Sequence, residues 1–261
     1  MPSYRKSSPA APARYFAWEA AGLRWLAGAH DEALDGASDG APVVEVLDVG
    51  PGHLELVRLE SATPTRAAAQ RFGAALARTH RGGAAAYGSG PPGWVGDGFF
   101  GPLSHPLALP LRPCTRWAEH LADNLLRPVT RACRDAGVVD ATGARLLDEV
   151  AARAGRFDTG EPPARIHGDL WSGNLMWTPG GATLIDPAAH GGHREADLAM
   201  LALFGAPHLQ ACLAAYQTEW PLADGWRARV GLHQLYPLAV HALLFGGGYA
   251  AQLLATARDY A

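Results

Sequence analysis

The sequence predicts an α+β fold built of two unequal lobes, and three observations carry that expectation. A strand, a helix and a hairpin can be read before Glu60. Helical periodicity dominates after it. The one clear β feature in the later part is a hairpin closed by Asn174 and Asp186, polar residues in an otherwise apolar and glycine-rich stretch. The expected division is a small mixed lobe over 1–60 and a larger, mainly helical lobe over 61–261, with a cleft between them as the natural ligand site.

Taken in order, "SYRK" at 3–6 reads as a short extended segment, followed by the proline-bearing linker "SSPAAPA". In "RYFAWEAAGLRWLAGA" the residues Phe16, Leu23 and Leu26 recur at helical spacing. "PVVEVLDVGPGHLELVRLE" is two β-rich runs joined by Gly50-Pro51-Gly52, a hairpin between Val43 and Leu59. "TPTRAAAQRFGAALARTHR" opens with a capping threonine and a proline before a helical repeat. The Gly- and Pro-dense stretch from Gly82 to Pro113 reads as a long irregular connection of the kind that often carries function. Two helices are expected next, over 115–136 and 141–155. "NLMW" and "ATLID" flank the turn "TPGG" as a hairpin, and the chain is helical from Arg194 onward.

Composition narrows the partners. With 22 Lys and Arg against 25 Asp and Glu, the net charge of −3 leaves no basic surplus for nucleic acid or an anionic membrane. Cys114, Cys133 and Cys212 are far apart and odd in number, which fits buried fillers in a reducing compartment. The N-terminal stretch has no apolar core of signal-peptide length, and no apolar run is long enough to span a bilayer. A soluble cytoplasmic protein is expected; oligomeric state is not legible.

The chemistry concentrates between His167 and Asp197. Asp169 follows His167 and precedes Asn174 by five positions, and Asp186 comes twelve positions after Asn174. The two ends of a hairpin return to the same place, so Asn174 and Asp186 should sit side by side and offer converging oxygens. A carboxylate and an amide oxygen form a hard half-site suited to Mg²⁺, which completes its shell with phosphate and water. Asp169, on the preceding turn, then meets a hydroxyl near that metal. This is the arrangement of phosphoryl transfer, and its order matches the catalytic and metal-binding segments of kinase-like folds. Turn capping would account for any one of the three residues, but not for all three in order. His190 and His193 form an H-x2-H pair, yet no third His or Cys has ligand spacing nearby, and a zinc site is not expected.

The run "HGDLWSGN" followed by "IDPAAHGGHREADLAML" resembles the signature of the fructosamine kinase (ketosamine kinase) family, within the aminoglycoside phosphotransferase and choline kinase group. "EAAGLRWLA" resembles that family's first helix and "HQLYPLAVHALLFGGGY" its last helices, so the likeness spans nearly the whole chain. The resemblance implies a protein-kinase-like fold and an ATP- and Mg²⁺-dependent transfer to a sugar hydroxyl of a ketosamine or glycated amine. It further implies Asp169 as catalytic base, Asn174 and Asp186 as metal ligands, and Trp171 as a face for the acceptor sugar. His167, His193, Arg194, Glu195 and Asp197 match the family as well, with support of the site the expected role: Asp197 is expected to cap a loop and Arg194 to pair with an acid that braces the site. In kinase-like folds a strand lysine contacts the nucleotide phosphates and a helix glutamate holds it; Lys6 and Glu19 stand in that order. Backbone groups near Val57 and Leu59, at the end of the first hairpin, would be available to adenine.

One departure stands out. The family begins with two further strands and a glycine-bearing phosphate loop ahead of the lysine, whereas five residues precede Lys6 here, a reach of at most about 17 Å. The expectation is a small lobe lacking its first two strands, with a true start upstream of Met1 more plausible than a natural truncation with an exposed sheet edge. Two rivals follow: a ligand-binding protein without catalysis, and a kinase of another acceptor such as an aminoglycoside or amino alcohol. An acidic acceptor pocket would favour polycations; one lined by Trp and His would favour sugar amines.

Overall fold

The strand that carries Lys6 lies at the outer edge of a small antiparallel sheet in this computed structural model, which describes residues 2–28 and 40–261. Met1, on which the expectation about the chain's start turns, lies outside the described residues. Strand β1 (Ser3–Ser7) pairs with β3 (His53–Val57), and β3 pairs with β2 (Val46–Gly50), in the order β1-β3-β2. The Gly50-Pro51-Gly52 turn joins β2 to β3 as its residue types require. Helix α1 (Tyr15–Ala27) packs Phe16, Ala20 and Leu23 against Val44, Leu54 and Leu56. Sheet and helix thus share one apolar seam, which fixes α1 against β2 and β3.

Helix α2 (Arg66–Arg81) begins at Thr65, whose hydroxyl accepts from the Ala68 amide at 3.1 Å, two residues later than the Thr-Pro signal suggests. It lies along α7 (Leu209–Glu219), so closely that a β-carbon at Gly73 would come within 2.0 Å of Cys212 O. The stretch after α2 is not wholly irregular. It holds a short antiparallel pair, β4 (Gly98–Phe100) with β5 (Leu107–Leu109). Three-residue strands are too short to print an alternation that a sequence reading can find.

The helix expected over 115–136 is continuous but not uniform. A turn of α3 (Trp117–Glu119) runs into a π-helical segment, His120–Leu126, and then into α4 (Arg127–Asp135). Helix α5 (Ala141–Arg153) is capped by Asp140, which accepts from the Gly143 amide at 2.7 Å. The next strand, β6 (Ala164–Ile166), pairs with β9 (His190–Gly192), a pairing absent from the sequence expectations because its partners are far apart in the chain. Between them lies the expected hairpin, β7 (Leu175–Thr178) and β8 (Gly181–Leu184), in the register Leu175 opposite Leu184. Helices α6 (Arg194–Phe204), α7, α8 (Trp226–Phe245) and α9 (Gly248–Ala257) complete the fold. No described helix is long and apolar enough to cross a membrane. Cys133 and Cys212 are buried as expected, while Cys114 is only partly so.

Candidate active site

The hairpin register does to Asn174 and Asp186 what the spacing predicts. Ile185 donates its amide to Asn174 O at 3.1 Å, which sets the residues on either side of this bond next to each other. The Asn174 side-chain nitrogen donates to Asp169 O at 2.9 Å and to an Asp169 carboxylate oxygen at 3.0 Å, with Asp186 O at 3.4 Å. With its nitrogen spent on these acceptors, Asn174 keeps its amide oxygen for another partner. Asp186 stands in the left-handed region at φ 54, a conformation that is costly outside glycine but tolerated by aspartate.

The loop that carries Asp169 is braced from behind. His167 is fully buried, and its Nε2 donates to Ile185 O at 2.9 Å because a carbonyl can only accept. Its Nδ1 is therefore the acceptor for the Asp169 amide at 3.2 Å. Asp197, at the start of α6, accepts from the His167 amide at 2.7 Å and from the Gly168 amide at 2.9 Å. His80 from α2 adds a further bond to Asp197 at 3.1 Å and joins it to Tyr216 at 2.8 Å. Gly168 has φ +78, and a β-carbon there would meet Ala188 O at 2.3 Å, so this position admits only glycine.

Lys6 reaches the same place from β1. Its ammonium is 2.7 Å from Glu19 of α1 and directly contacts the Asp186 carboxylate. Burial works against its charge, but these two carboxylates outweigh burial and raise its pKa. Burial is also the main reason that the Asp169 carboxyl is pushed up to about 8; the Asn174 hydrogen bond opposes this, and the charges of Asp186 and Asp197 add to it.

Lys6, Glu19, Asp169, Trp171, Asn174 and Asp186 all line one cleft of about 590 Å³. Val57 and Leu59 are not part of its wall. The Val57 amide donates to Glu45 O at 3.0 Å, and Leu59 packs against the seam between α1 and the sheet. Trp171 stands at the cleft, 39% exposed, with its ring edge-on to Phe204 at 6.0 Å. Its indole lies where a β-carbon at Gly173 would be, at 2.2 Å.

The "HREADL" residues lie behind the cleft rather than in it. Arg194 makes a two-pronged pair with Glu161, both contacts at 2.6 Å, and donates to Trp220 O and Pro221 O. Glu195 is gripped by Arg229 at 2.9 and 2.5 Å. His193 caps α6 by accepting from the Glu195 amide. Sequence reasoning missed Arg229, His80 and Tyr216, whose partners are remote in the chain. It also missed His241 and Phe245 on the cleft wall, whose four-residue spacing on α8 was an available signal.

The sequence model of the fructosamine kinase family matches residues 6–259. This chain belongs to the fructosamine kinase family. Among its relatives, a probable ketoamine kinase of Synechocystis is 34% identical over 214 residues, which cover 81% of this chain and 68% of that protein. A probable ketoamine kinase of Enterococcus faecium is 45% identical over 92 residues, or 35% of this chain and 33% of that one. The matched stretch thus spans about a third of the Enterococcus relative's length. A crystal structure of a candidate fructosamine-3-kinase from Thermobifida fusca superposes with a TM-score of 0.88 at 44% identity, covering 99% of this chain and 85% of that one. An aminoglycoside phosphotransferase solved with ADP and hygromycin B gives a TM-score of 0.55 at 19% identity, covering 93% of this chain and 83% of that one, a likeness of fold alone. The fold of this fructosamine kinase family member is therefore the two-lobed, protein-kinase-like one.

Proposed function

We propose that the chain is an ATP-dependent kinase that moves the γ-phosphoryl group to a sugar hydroxyl of a ketosamine, by family resemblance the 3-hydroxyl, and serves in the repair of glycated amines. The observation that carries this reading is the convergence of Asp169, Asn174, Asp186, Lys6 and Glu19 on one cleft from four separate segments. Asp169 is the base: its carboxylate, held by Asn174, accepts the proton of the attacking hydroxyl. Lys6, braced by Glu19, orients the nucleotide phosphates.

The donor set fits Mg²⁺. The Asp186 carboxylate and the amide oxygen left over on Asn174 are hard oxygen ligands on one side of the cleft, and water and phosphate would fill the remaining positions. When bound, the metal would supply neutralisation of charge on the phosphates. Asp186 would hold it from the turn just after β8, and Asn174 from the turn before β7.

The acceptor reading is supported by the lining of the cleft. Apart from Asp169, Asp186 and Glu19, its wall carries no carboxylate among the described residues, and Trp171, His241 and Phe245 border it. A polycationic aminoglycoside would find few counter-charges there, whereas a sugar amine would find ring faces on which to rest. The test is a coupled assay of ADP release with Mg²⁺, ATP and a synthetic fructosamine, run beside an aminoglycoside and choline. Turnover confined to the fructosamine is expected; turnover of the aminoglycoside alone, or of none, would discard the assignment.

A further inference from the structure

Behind the Asp169 loop lies a second cavity of about 40 Å³, walled by Gly168 and Asp197 and by His120, His190, His233 and Tyr236. So many imidazoles invite a metal reading, and His193, Glu195 and His233 do present ligand atoms within 4.8 Å of one another. Hydrogen bonding argues against it. His193 Nδ1 accepts from the Glu195 amide at 3.2 Å, so its proton sits on Nε2 and that nitrogen has no lone pair to give. Both Glu195 oxygens are already held by Arg229, a cation that a metal ion would have to sit beside.

The same logic gives the cavity a different ligand. The Asn124 side-chain nitrogen donates to Arg112 O at 2.8 Å, which fixes the orientation of the amide, and its other proton goes to His120 Nδ1 at 3.0 Å. His120 therefore carries its proton on Nε2, and this buried donor finds no acceptor among the described residues. A buried donor left unpaired is costly. His190 has the opposite tautomer: Nδ1 donates to Ala188 O at 2.8 Å, which leaves Nε2 as an acceptor. The two rings lie 5.4 Å apart between centroids. Burial, reinforced by the neighbouring His190, holds His120 well below its ordinary pKa and so neutral. His120 also opens the π-helical segment, a local widening that often marks functional positions. At roughly 10–15 Å³ per water, a cavity of this volume has room for about three.

We propose that this cavity is a buried water site whose ordered waters accept from His120 Nε2 and donate to His190 Nε2, and that His120 acts through them as a positioning residue for the Gly168–Asp169 loop. Gly168 rests on that wall, since a β-carbon there would come within 2.9 Å of His190 Nδ1. The positioning half rests on the reading of Asp169 as the catalytic base; the water half does not.

The experiment has two arms. Crystals of the full chain, native and soaked in zinc, are measured at high resolution, with the soaked data collected at the zinc edge. Water peaks within hydrogen-bond reach of both His120 Nε2 and His190 Nε2 are expected. An anomalous peak between His193 and His233, or a cavity without solvent density, would overturn the site. In the second arm, His120→Phe is expected to lower kcat about tenfold with the KM for ATP unchanged, the pattern of a misplaced catalytic group. His120→Gln, which still offers an N–H donor, should recover most of that loss. Unchanged kcat in His120→Phe, or a loss that His120→Gln shares in full, overturns the positioning role. Absence of any wild-type turnover would instead strike the proposed function and leave the crystallographic arm standing.

Discussion

Lys6 and Asp186, 180 residues apart in the chain, are in direct contact across the cleft. The ammonium thus occupies the side of the Asp186 carboxylate that a cation would otherwise take, while Glu19 holds it from behind at 2.7 Å. Mg²⁺ alone has to displace a charged partner, whereas nucleotide phosphates give Lys6 a new one. Calorimetry is therefore expected to find weak binding of Mg²⁺ by itself and tight binding together with ATP. Lys6→Met should strengthen the first and cut kcat/KM for ATP by roughly a hundredfold or more. Equal Mg²⁺ affinity in the wild type and in Lys6→Met would refute the competition.

Asp169→Asn keeps the size of the side chain and removes the base. Phosphoryl transfer should fall by about 10²–10⁴-fold, the usual contribution of general base catalysis. ATP affinity and thermal midpoint should change little, because the loop is held by Asp197 and His167 rather than by the Asp169 carboxylate. Near-normal turnover would assign the chemistry elsewhere.

The pH dependence has a definite sign. A base works when deprotonated, and burial raises the Asp169 carboxyl to about 8 before metal or substrate arrives. The kcat/KM for the acceptor should therefore rise with pH on an acid limb reaching above neutrality. The limb in kcat should lie lower, since a bound cation favours the ionised form. A profile flat from pH 6 to pH 9 would contradict this.

Stability at low pH is expected to track Glu195. Its burial favours the neutral form, but the nearby His233 and the hydrogen bonds from Arg229 prevail and hold it at about 2, below the ordinary 4.5. A depressed carboxylate contributes stability that is present above its unfolded value and is lost as pH falls through the folded one. Denaturant midpoints should thus drop between about pH 4.5 and 2, and Glu195→Gln should flatten that drop while lowering stability at neutral pH, where Arg229 loses its counter-charge.

Asp197→Ala would strip partners from the buried His167 amide and His80 and from the half-buried Gly168 amide. A loss of about 3 kcal/mol or more is expected from chemical denaturation, since each orphaned buried donor costs about 1–3 kcal/mol. A change below about 1 kcal/mol would mean that the loop is held by other contacts.

Asn174 and Asp186 could be brought together from the sequence because a hairpin's geometry is local: a turn signal and two short strands suffice to say that its ends meet. The pairing of Lys6 with Glu19 was legible only through family order, and the reach of Lys6 to Asp186 not at all, since nothing in either segment encodes the fold that closes the gap. In "HREADL" the sequence suggests a loop-capping role for Asp197 and an acid partner for Arg194, but not which loop or which acid. What separates Asp197, bonded to the loop, from Arg194 and Glu195, bonded to Glu161 and Arg229, is the identity of distant partners. The β6–β9 pair escaped for the same reason.

Trp171 and Gly173 form a lock of two residues. The indole fills the space that any side chain at position 173 would need, so its pose depends on a neighbour that has no side chain of its own. Anyone wishing to retune acceptor preference by mutagenesis should treat the two as a single variable. Changing Gly173 would swing the ring away without altering it, and replacing Trp171 with a small residue would open position 173 to side chains that the present protein excludes. Sequence drift at one of these sites should accordingly be followed by drift at the other.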